Sequence, residues 1–476
     1  MFTKFTALRL SSAAFLFLFV LSSLNASSLF GPIRIYKSGV TWETSVAVGD
    51  VNGDGNLDLL TIGENAMDYG IAEVGVLLAT ADGKFGHVWT YYSGGTFPVA
   101  IALADVNGDG NLDVLVANFE NIGLLLGNGD GTFQGAQKIF GSNRVHGIAL
   151  ADLNGDGKLD LLLATDSAAE VRLGNGDGTF QPAQYYASSG DAIATADVNG
   201  DGKLDMLMAH YGLYVLLGNG DGTFQSAAVY PSGGAGPNSL RVTDVNGDGN
   251  SDLVVSNWVS SNVGVLLGNG DGTFQPAQTY DSGGREAMTL VVEDFNGDGK
   301  PDLAVANIYG KTDFKSVVGV LLGNGDGTFQ AAQTFSIGGF GAALIAVGNL
   351  TGSNMPDLLV SRCRIIRHCV EGLLVVLPNT TKGFITNSTL SSSLNPSHYG
   401  QAVTFTVTVS SAGPAPTGKV KFFDGTTGVG TVALSGGIAT LTKSKLALGT
   451  HSITAQYLGD AFTAKSASPV VSQLVQ

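Results

Sequence analysis

The sequence predicts an all-β protein in which a seven-bladed β-propeller is followed by a small β-sandwich. A nonapeptide, DVNGDGNLD at 50–58, recurs in variant forms so that seven copies follow one another at spacings of 45 to 55 residues. A second motif, LLLGNGDGTF at 124–133, alternates with it through seven copies. Glycine supplies 68 of the 476 residues, and many of them lie within these two motifs, where turns with positive φ are needed.

The first 26 residues are predicted to be a secretory signal peptide. Lys4 and Arg9 precede an apolar run at 13–21, which is shorter than the roughly 20 residues needed to span a bilayer. A small-residue cleavage site ends at Ala26. An uncleaved membrane anchor is the alternative. We expect a secreted or cell-surface, extracytoplasmic bacterial protein with no membrane span after cleavage.

Each repeat of the motif pair is predicted to form one four-stranded antiparallel blade. In the second repeat the apolar runs are 99–104, 112–117, 123–126 and 133–140. They are short and bounded by glycine-rich turns, which is typical of strands. A radial arrangement leaves only short, protected sheet edges.

Ring closure is also predicted. The last repeat ends after its third strand and turn, near Phe384. The segment 30–37 (FGPIRIYK) is similar to a fourth strand such as 274–280 (FQPAQTY), so it should complete the last blade. The predicted domains are therefore a signal peptide at 1–26, a propeller at 27–384 and a second domain at 385–476.

The nonapeptide has the spacing of a calcium-binding loop. Oxygen-bearing side chains occupy positions 1, 3, 5 and 9, with glycine at position 6, and position 7 can bind through its carbonyl. An EF-hand is excluded, because position 12 is Thr61, Val116 or Leu163 instead of Glu. Mg²⁺ and an Asx-rich turn that binds nothing are the alternatives.

About six calcium sites are predicted, since the seventh loop has Asn349, Thr351 and Ser353 in place of acids, keeps only Asp357, and is expected to be empty. The predicted ligands, in loop order, are Asp50, Asn52, Asp54, Asn56 and Asp58; Asp105, Asn107, Asp109, Asn111 and Asp113; Asp152, Asn154, Asp156, Lys158 and Asp160; Asp197, Asn199, Asp201, Lys203 and Asp205; Asp244, Asn246, Asp248, Asn250 and Asp252; and Asp294, Asn296, Asp298, Lys300 and Asp302.

Repeats that pair D-x-N-G-D-G-x-x-D with L-L-G-N-G-D-G-T-F-Q resemble the FG-GAP and VCBS repeats of secreted bacterial proteins. The same loop type occurs in the propeller of integrin α-subunits and in a seven-bladed fungal lectin. The resemblance covers about residues 29–384. It implies a calcium-stabilised seven-bladed propeller of the kind often used in adhesion or glycan recognition, and it transfers no particular ligand.

Both motifs stop after Phe384, and the Ser/Thr/Asn-rich stretch 386–393 is predicted to be a linker. Alternating strands at 403–409, 418–425, 439–446 and 451–460 predict an Ig-like β-sandwich. This region resembles the bacterial Ig-like repeats of surface proteins, which implies a spacer or stalk.

A ligand is expected on the face opposite the predicted calcium loops, because the loops there differ between repeats. Aromatic and amide side chains in these loops suit an extracellular glycan or protein ligand bound by a monomer. The alternative is that the asparagines cap turns and the rings pack between blades. The candidate residues are Asn118, Phe119, His210, Tyr211, Asn257, Trp258, Asn307 and Tyr309, with Trp42, His146, Arg285 and Phe340 on neighbouring loops.

Cys363 and Cys369 flank a basic insert and are predicted to form a disulfide. Zinc binding with His368 is the alternative. Arg362, Arg364 and Arg367 form the one concentrated basic patch of the sequence.

The sequence contains no nucleophile motif, HExxH motif or phosphate loop, so we predict a binding protein and no enzyme. A polysaccharide lyase or hydrolase on a propeller, or a purely structural scaffold, are the alternatives. Only 13% of the residues are charged, yet the net charge is −16, which excludes a nucleic-acid partner. Six calcium ions would offset most of this charge.

Overall fold

The computed structural model describes residues 29–476 except 66–67, 69, 81, 142–143, 187–188, 342–343, 354, 364–371, 382–385, 412–414 and 461–462. These described residues contain no helix, and therefore none long and apolar enough to cross a bilayer. They form seven four-stranded antiparallel sheets and a two-sheet sandwich. The predicted signal peptide lies outside the described residues.

The sheets are the predicted blades. The strands of blades 1 to 3 and the closing strand are β1 (Arg34–Lys37), β2 (Thr41–Gly49), β3 (Asp58–Glu64), β4 (Ile71–Ala79), β5 (Phe85–Thr96), β6 (Pro98–Ala104), β7 (Asp113–Asn118), β8 (Asn121–Leu125), β9 (Gln137–Gly141), β10 (Val145–Ala151), β11 (Asp160–Thr165), β12 (Ala169–Arg172) and β13 (Gln184–Tyr186). Blades 4 to 7 contain β14 (Ala192–Ala196), β15 (Asp205–Ala209), β16 (Leu213–Leu216), β17 (Ala228–Tyr230), β18 (Pro237–Thr243), β19 (Asp252–Asn257), β20 (Asn262–Leu266), β21 (Gln278–Asp281), β22 (Arg285–Glu293), β23 (Asp302–Tyr309), β24 (Val317–Leu321), β25 (Gln333–Ser336), β26 (Ile345–Gly348), β27 (Asp357–Cys363) and β28 (Gly372–Leu377).

The ring is closed, and the strand predicted to close it does so. We call the strands of a blade A to D from the inside outwards. The A strands β2, β6, β10, β14, β18, β22 and β26 contact one another in order, and β26 contacts β2. The first strand, β1, pairs antiparallel with β28 as the D strand of blade 7, with Arg34 opposite Val376. The two ends of the propeller sequence therefore share one sheet.

A hydrophobic core fills each interface between neighbouring blades, because the B and C strands are apolar on both faces. Leu59 and Leu77 of blade 1, for example, pack with Leu359 and Leu374 of blade 7. The phenylalanine of the second motif extends this contact, since its ring meets an aromatic ring of the preceding blade edge-on. At the closing interface the centroids of Tyr36 and Phe85 are 5.2 Å apart. Burial of apolar surface between blades thus holds the ring together.

The fourth strand of a blade begins later than predicted. In blade 2 the prediction was 133–140, whereas β9 begins at Gln137. Phe133 forms only an isolated bridge with Gly127, and the amide of Gln134 donates to the carbonyl of Leu126 at 2.8 Å. Turning the Phe133 ring into the interface at this point interrupts the pairing before the outer strand resumes.

The C-terminal domain is an Ig-like sandwich of two sheets. Its strands are β29 (Thr386–Ser392), β30 (Val403–Ser411), β31 (Lys419–Asp424), β32 (Thr427–Ala433), β33 (Ile438–Lys443), β34 (Gly449–Tyr457), β35 (Ser466–Ala467) and β36 (Val471–Val475). One sheet has the order β29-β30-β33, and the other contains β32, β31, β34 and β35 with β36 beside β34.

The prediction of a linker at 386–393 is wrong, because most of this stretch is strand β29. It pairs with β30 in continuous register from Thr386 opposite Ser411 to Ser392 opposite Phe405. Its two buried side chains, Thr386 and Ser388, are hydroxyls that find partners: Thr386 Oγ1 donates to the carbonyl of Ala464 at 2.7 Å. Polar composition concealed the strand, since the buried side chains are satisfied by hydrogen bonds instead of apolar contacts.

The sandwich should be more stable below pH 6 than above pH 8, through His451. Its Nδ1 lies 2.6 Å from Asp424 Oδ2 and its Nε2 lies 2.9 Å from the carbonyl of Ala447. Two acceptors favour the doubly protonated ring, so the Ala447 carbonyl and then the Asp424 carboxylate raise the pKa of His451. The resulting stabilisation, about 1 kcal/mol, is complete below the ordinary pKa and is lost as pH rises through the raised one.

Hydrogen exchange of β31 and β34 in the full chain, corrected for the intrinsic rate, measures this effect. His451→Gln should abolish the difference between pH 6 and pH 9, and an unchanged difference in that variant would assign it to other groups.

Candidate calcium loops and ligand-binding face

The nonapeptides form the loops between the A and B strands, which we call the A–B loops. Each intact loop curls around the carboxylate at position 1 of its nonapeptide. In blade 1, Asp50 Oδ1 accepts from the amides of Gly53 at 2.7 Å and Asp54 at 3.1 Å, and Oδ2 accepts from Gly55 at 2.8 Å. Gly53 and Gly55 have φ of 71° and 85°, which a side chain would disfavour. Asp105, Asp152, Asp197, Asp244 and Asp294 make the corresponding bonds in the other five intact loops.

Positions 3 and 5 present side-chain oxygens at the exposed end of each loop. Asn52 Oδ1 accepts from the amide of Asp54 at 2.9 Å, and Asp54 Oδ1 accepts from the amide of Asn56 at 2.8 Å. In two of the three loops with lysine at position 7, the ammonium turns back toward its own loop: Lys203 Nζ lies 3.6 Å from Asp201 Oδ2, and Lys158 Nζ lies 3.9 Å from Asp156 Oδ2. The lysine therefore balances part of the loop charge.

Position 9 has a role that the sequence did not predict. The carboxylate of Asp160 is fully buried, its Oδ2 accepts from the amide of Leu153 at 2.8 Å, and its Oδ1 accepts from the amide of Gly174 at 2.8 Å. The Asp160 side chain thus links the A–B loop to the turn between the C and D strands, which we call the C–D turn. The same clamp, with both oxygens engaged, is made by Asp58, Asp113, Asp205, Asp252 and Asp302.

The seventh loop retains this clamp although it has lost the other acids. Asp357 Oδ1 accepts from Asn379 at 2.6 Å, and its Oδ2 accepts from Leu350 at 2.8 Å and Thr351 at 2.7 Å. Asn379 follows β28, so this clamp also holds the blade that closes the ring.

The carboxylates of one loop lie close enough to influence one another. Burial raises the pKa of Asp58 to about 6, and the charges of Asp54 and Asp50 add to this rise. Burial likewise raises the pKa of Asp302 to about 7, with Asp294 and Asp298 contributing. No cluster of three acidic, histidine or cysteine side chains in the described part of the chain is arranged to hold a metal ion. The donor set, consisting of oxygens at positions 1, 3 and 5, nevertheless has the chemistry that a hard cation prefers.

The A–B loops and C–D turns lie on the same face, since the amide of Gly178 in blade 3 donates to the carbonyl of Val106 in blade 2 at 3.0 Å. The B–C and D–A connections lie on the opposite face, which we call the loop face.

Comparison with protein families identifies the repeats. The model of the FG-GAP-like repeat matches residues 50–116, 105–163, 152–208, 197–255, 244–305 and 294–360, which together cover most of the propeller. The chain belongs to the FG-GAP-like repeat family. A bacterial Ig-like domain of group 3 matches residues 390–476. Neither match describes an enzyme family, and no protein with a curated description matches the sequence.

Several solved structures are similar in fold to this FG-GAP protein. A lectin of Agrocybe aegerita, described as recognising non-reducing terminal N-acetylglucosamine, is 19% identical, with a TM-score of 0.46 over 84% of this chain and 98% of the lectin. BBS1N, solved in complex with ARL6DN, is 12% identical, with a TM-score of 0.48 over 74% of this chain and 98% of its own. The NanB sialidase of Streptococcus pneumoniae is 11% identical, with a TM-score of 0.42 over 75% of this chain and 72% of the sialidase. No residue role is transferred from them.

The three asparagines predicted to contact a ligand are instead buried within the FG-GAP propeller. Asn257 Oδ1 accepts from Ser232 Oγ at 2.6 Å, and its Nδ2 donates to the carbonyl of Ser232 at 3.3 Å. Asn118 with Ser93, and Asn307 with Ser282, repeat this pairing. Each pair ties the end of a B strand to the connection from the preceding blade. The ligand assignment of these asparagines is therefore corrected, because their amides are fully buried and bonded within the chain.

The other candidates lie at the loop face. Tyr211 is 88% exposed and Trp258 is 43% exposed. The Phe119 ring lies 5.0 Å from Arg144 Cζ, and the Tyr309 ring lies 5.7 Å from Arg285 Cζ. They occupy different blades, so not all of them can share one site.

Two other predictions fall partly outside the described residues. Cys369, Arg364, Arg367 and His368 are not described, so neither the disulfide nor the zinc alternative is placed. Arg362 is described, and its Nη1 donates to the carbonyl of Ile337 at 2.6 Å.

Asn257→Ala should lower the free energy of unfolding by about 2 kcal/mol, because it leaves Ser232 without its buried partner. Trp258→Ala, at the next residue, should change it by less than about 0.5 kcal/mol. Urea unfolding of both variants measures the difference. Equal effects would show that the Asn–Ser pair is not what stabilises this interface.

Proposed function

We propose that this chain is an exported, calcium-stabilised propeller that binds an extracellular ligand through its loop face. One observation carries the proposal. In each blade we consider the residue eight positions before position 1 of the A–B loop. This residue has positive φ in six of the seven blades, and in four of these six it is not glycine. Trp42 (φ 48°), Phe97 (φ 49°) and Arg144 (φ 28°) take this position in consecutive blades, and Glu286 (φ 58°) takes it in blade 6.

These side chains pay a conformational cost that glycine avoids. Bulky residues in this region are strained by about 1–3 kcal/mol, and such strain is concentrated at functional sites. Blades 5 and 7 use Gly236 and Gly341 at the same position, so the fold does not need a side chain there. Trp42 and Phe97 are 42% and 43% exposed. We infer that they are retained for contact with a ligand.

Calcium would bind the opposite face through positions 1, 3 and 5, with the carbonyl of position 7. The position-9 carboxylate could join this set through the lone pairs that its two clamp bonds leave available. Bound cations would relieve the repulsion within each loop and leave the loop face free for the ligand. Export is inferred from the signal-like first 26 residues, and the Ig-like domain would serve as a spacer at the cell surface.

Trp42→Gly and Phe97→Gly test this proposal, because each should have opposite effects on the thermal stability of the propeller and on its affinity for the ligand. Each variant should raise the Tm slightly by relieving strain, yet weaken ligand binding at least fivefold. The measurement is binding to arrays of printed glycans and matrix proteins in calcium buffer. Trp89→Ala is the matched control, because Trp89 is 58% exposed on the outer strand β5, away from this face.

Three outcomes would redirect the proposal. Binding that survives both glycine variants would move the site off the loop face. Release of unsaturated sugar products from a bound polysaccharide would favour the lyase alternative. Absence of any ligand on the arrays would favour a purely structural scaffold.

A further inference from the structure

A continuous polar network crosses blades 3 and 4 on the loop face. Arg144 Nη1 lies 3.6 Å from Asp166 Oδ2, and His146 Nε2 lies 2.5 Å from Asp166 Oδ1. The other ring nitrogen of His146 lies 4.0 Å from Asp191 Oδ1, and His210 Nδ1 lies 2.8 Å from Asp191 Oδ2. Two aspartates are thus each held between two nitrogen-bearing side chains, which fixes their direction while lone pairs remain available.

This network reaches the central channel. In blades 1 to 6, the residue six positions before the A–B loop lines a cavity of ≈370 Å³ at the centre of the ring. This position carries His146, Asp191 and Asn238 in blades 3 to 5, flanked by Val99 in blade 2 and Met288 in blade 6, with Thr44 in blade 1. Ionisable and amide side chains are therefore concentrated along blades 3 to 5 of the wall, and the volume suits a single sugar residue.

A single cation projects into the same cavity. Arg241 lies on the A strand of blade 5, at a position occupied by alanine or valine in the other blades. Its Nη1 donates to the carbonyl of Leu240 at 2.8 Å, and no carboxylate among the described residues pairs with it. Strands of the channel wall surround it. The Arg241 side chain is solvent-exposed within the channel, so its guanidinium is accessible to an anionic ligand.

An exposed aromatic ring adjoins His210, which contacts the cavity-lining Asp191. The Tyr211 ring lies 4.0 Å from the ring of His210, and 88% of the tyrosine is exposed. A sugar presents an apolar C–H face that can stack on such a ring, while its hydroxyls bond to carboxylates and imidazoles.

We propose that the channel mouth binds a carboxylated sugar residue of an extracellular polysaccharide. The carboxylate pairs with Arg241, the ring hydroxyls donate to Asp191 and accept from His146, and a neighbouring sugar stacks on Tyr211. The arrangement of a fixed cation, directed acceptors and an exposed ring favours an acidic sugar over a simple anion, which would use only the arginine. This inference rests on the proposed function, that the loop face binds a ligand.

The test uses oligogalacturonate and oligoguluronate, each compared with its carboxyl-reduced form, by calorimetry on the full chain in calcium buffer. We expect at least one acidic oligosaccharide to bind at least tenfold more tightly than its reduced form. Arg241→Gln should remove this preference and leave the weak binding of the reduced form unchanged. Tyr211→Ala should weaken binding of both forms severalfold.

Lys138→Gln, on the exposed outer strand β9, is the control for loss of one positive charge. Arg241→Gln should not lower the Tm, since the Arg241 side chain is solvent-exposed and has no carboxylate partner among the described residues, so loss of binding cannot be attributed to unfolding. Preference for the acidic form that persists in Arg241→Gln overturns the assignment of the carboxylate to Arg241. Failure of both acidic oligosaccharides to bind overturns this inference. The proposed function survives that result if Trp42→Gly and Phe97→Gly still weaken binding of a different ligand on the glycan and matrix-protein arrays.

Discussion

Chelation of calcium with EGTA is expected to lower the Tm of the propeller by roughly 10 °C or more, while the Ig-like domain unfolds at an unchanged temperature. At a free calcium concentration a hundred times Kd, one site stabilises the folded state by about 2.7 kcal/mol. Six intact loops lie in one closed ring, so their contributions act on a single structure. Differential scanning calorimetry in calcium and in EGTA measures the shift.

Asp201→Asn and Asp221→Asn form a matched pair for this prediction. Asp201 is at position 5 of the fourth loop, whereas Asp221 lies in the C–D turn of the same blade, where its Oδ1 accepts from the amide of Thr223 at 3.0 Å. Both variants lose one negative charge on the same face. Only Asp201→Asn should reduce the number of bound ions below six. An unchanged Tm in EGTA would refute the calcium assignment and leave the Asx-rich turn as the explanation of the loops.

Asp357→Ala is expected to lower the free energy of unfolding by about 4 kcal/mol, with or without calcium. The substitution leaves three amides, those of Leu350, Thr351 and Asn379, without their acceptor, and each unsatisfied buried group costs about 1–3 kcal/mol. The loop lacks the acids that a cation needs, so only the clamp is tested. Urea unfolding in EGTA and in calcium provides the measurement.

The control lies in the same loop. Asn349→Ala changes the exposed first position and should alter the free energy of unfolding by less than about 0.5 kcal/mol. If Asp357→Ala were as stable as the unsubstituted chain, the two oxygens of position 9 would not be structural clamps. The calcium-ligand role predicted for position 9 would then be the remaining explanation of that carboxylate in the other six loops.

Much of the architecture could be predicted because it depends on local signals. Strand length, glycine turns and the repeat period are visible in the sequence, and they indicate blades. The closing role of 34–37 was also predictable, since a fourth strand was missing at one end of the repeats and present at the other.

The errors arose where one side chain serves a partner far away in sequence. The sequence around Asn257 predicts an exposed loop residue. In the structure Asn257 is buried and accepts a hydrogen bond from Ser232, in the connection from the preceding blade. For Asp160, predicted as a metal ligand, the structure adds a role that the sequence did not indicate, because its two oxygens join backbone segments that precede and follow it. The Ser/Thr/Asn-rich composition of β29 predicts a linker, whereas in the structure its Thr386 hydroxyl bonds to Ser466, 80 positions later.

The sequence by itself therefore determined the β-rich repeats, their number and the oxygen-rich loops, because each depends on residues within a few positions of one another. Only the tertiary structure decided which polar residues meet. His146, Asp191 and Arg241 belong to three different repeats, and none forms a motif with its neighbours. They line one cavity because equivalent strands of successive blades surround a common axis. Ring closure, a property of the whole fold, is what assembles the candidate ligand site.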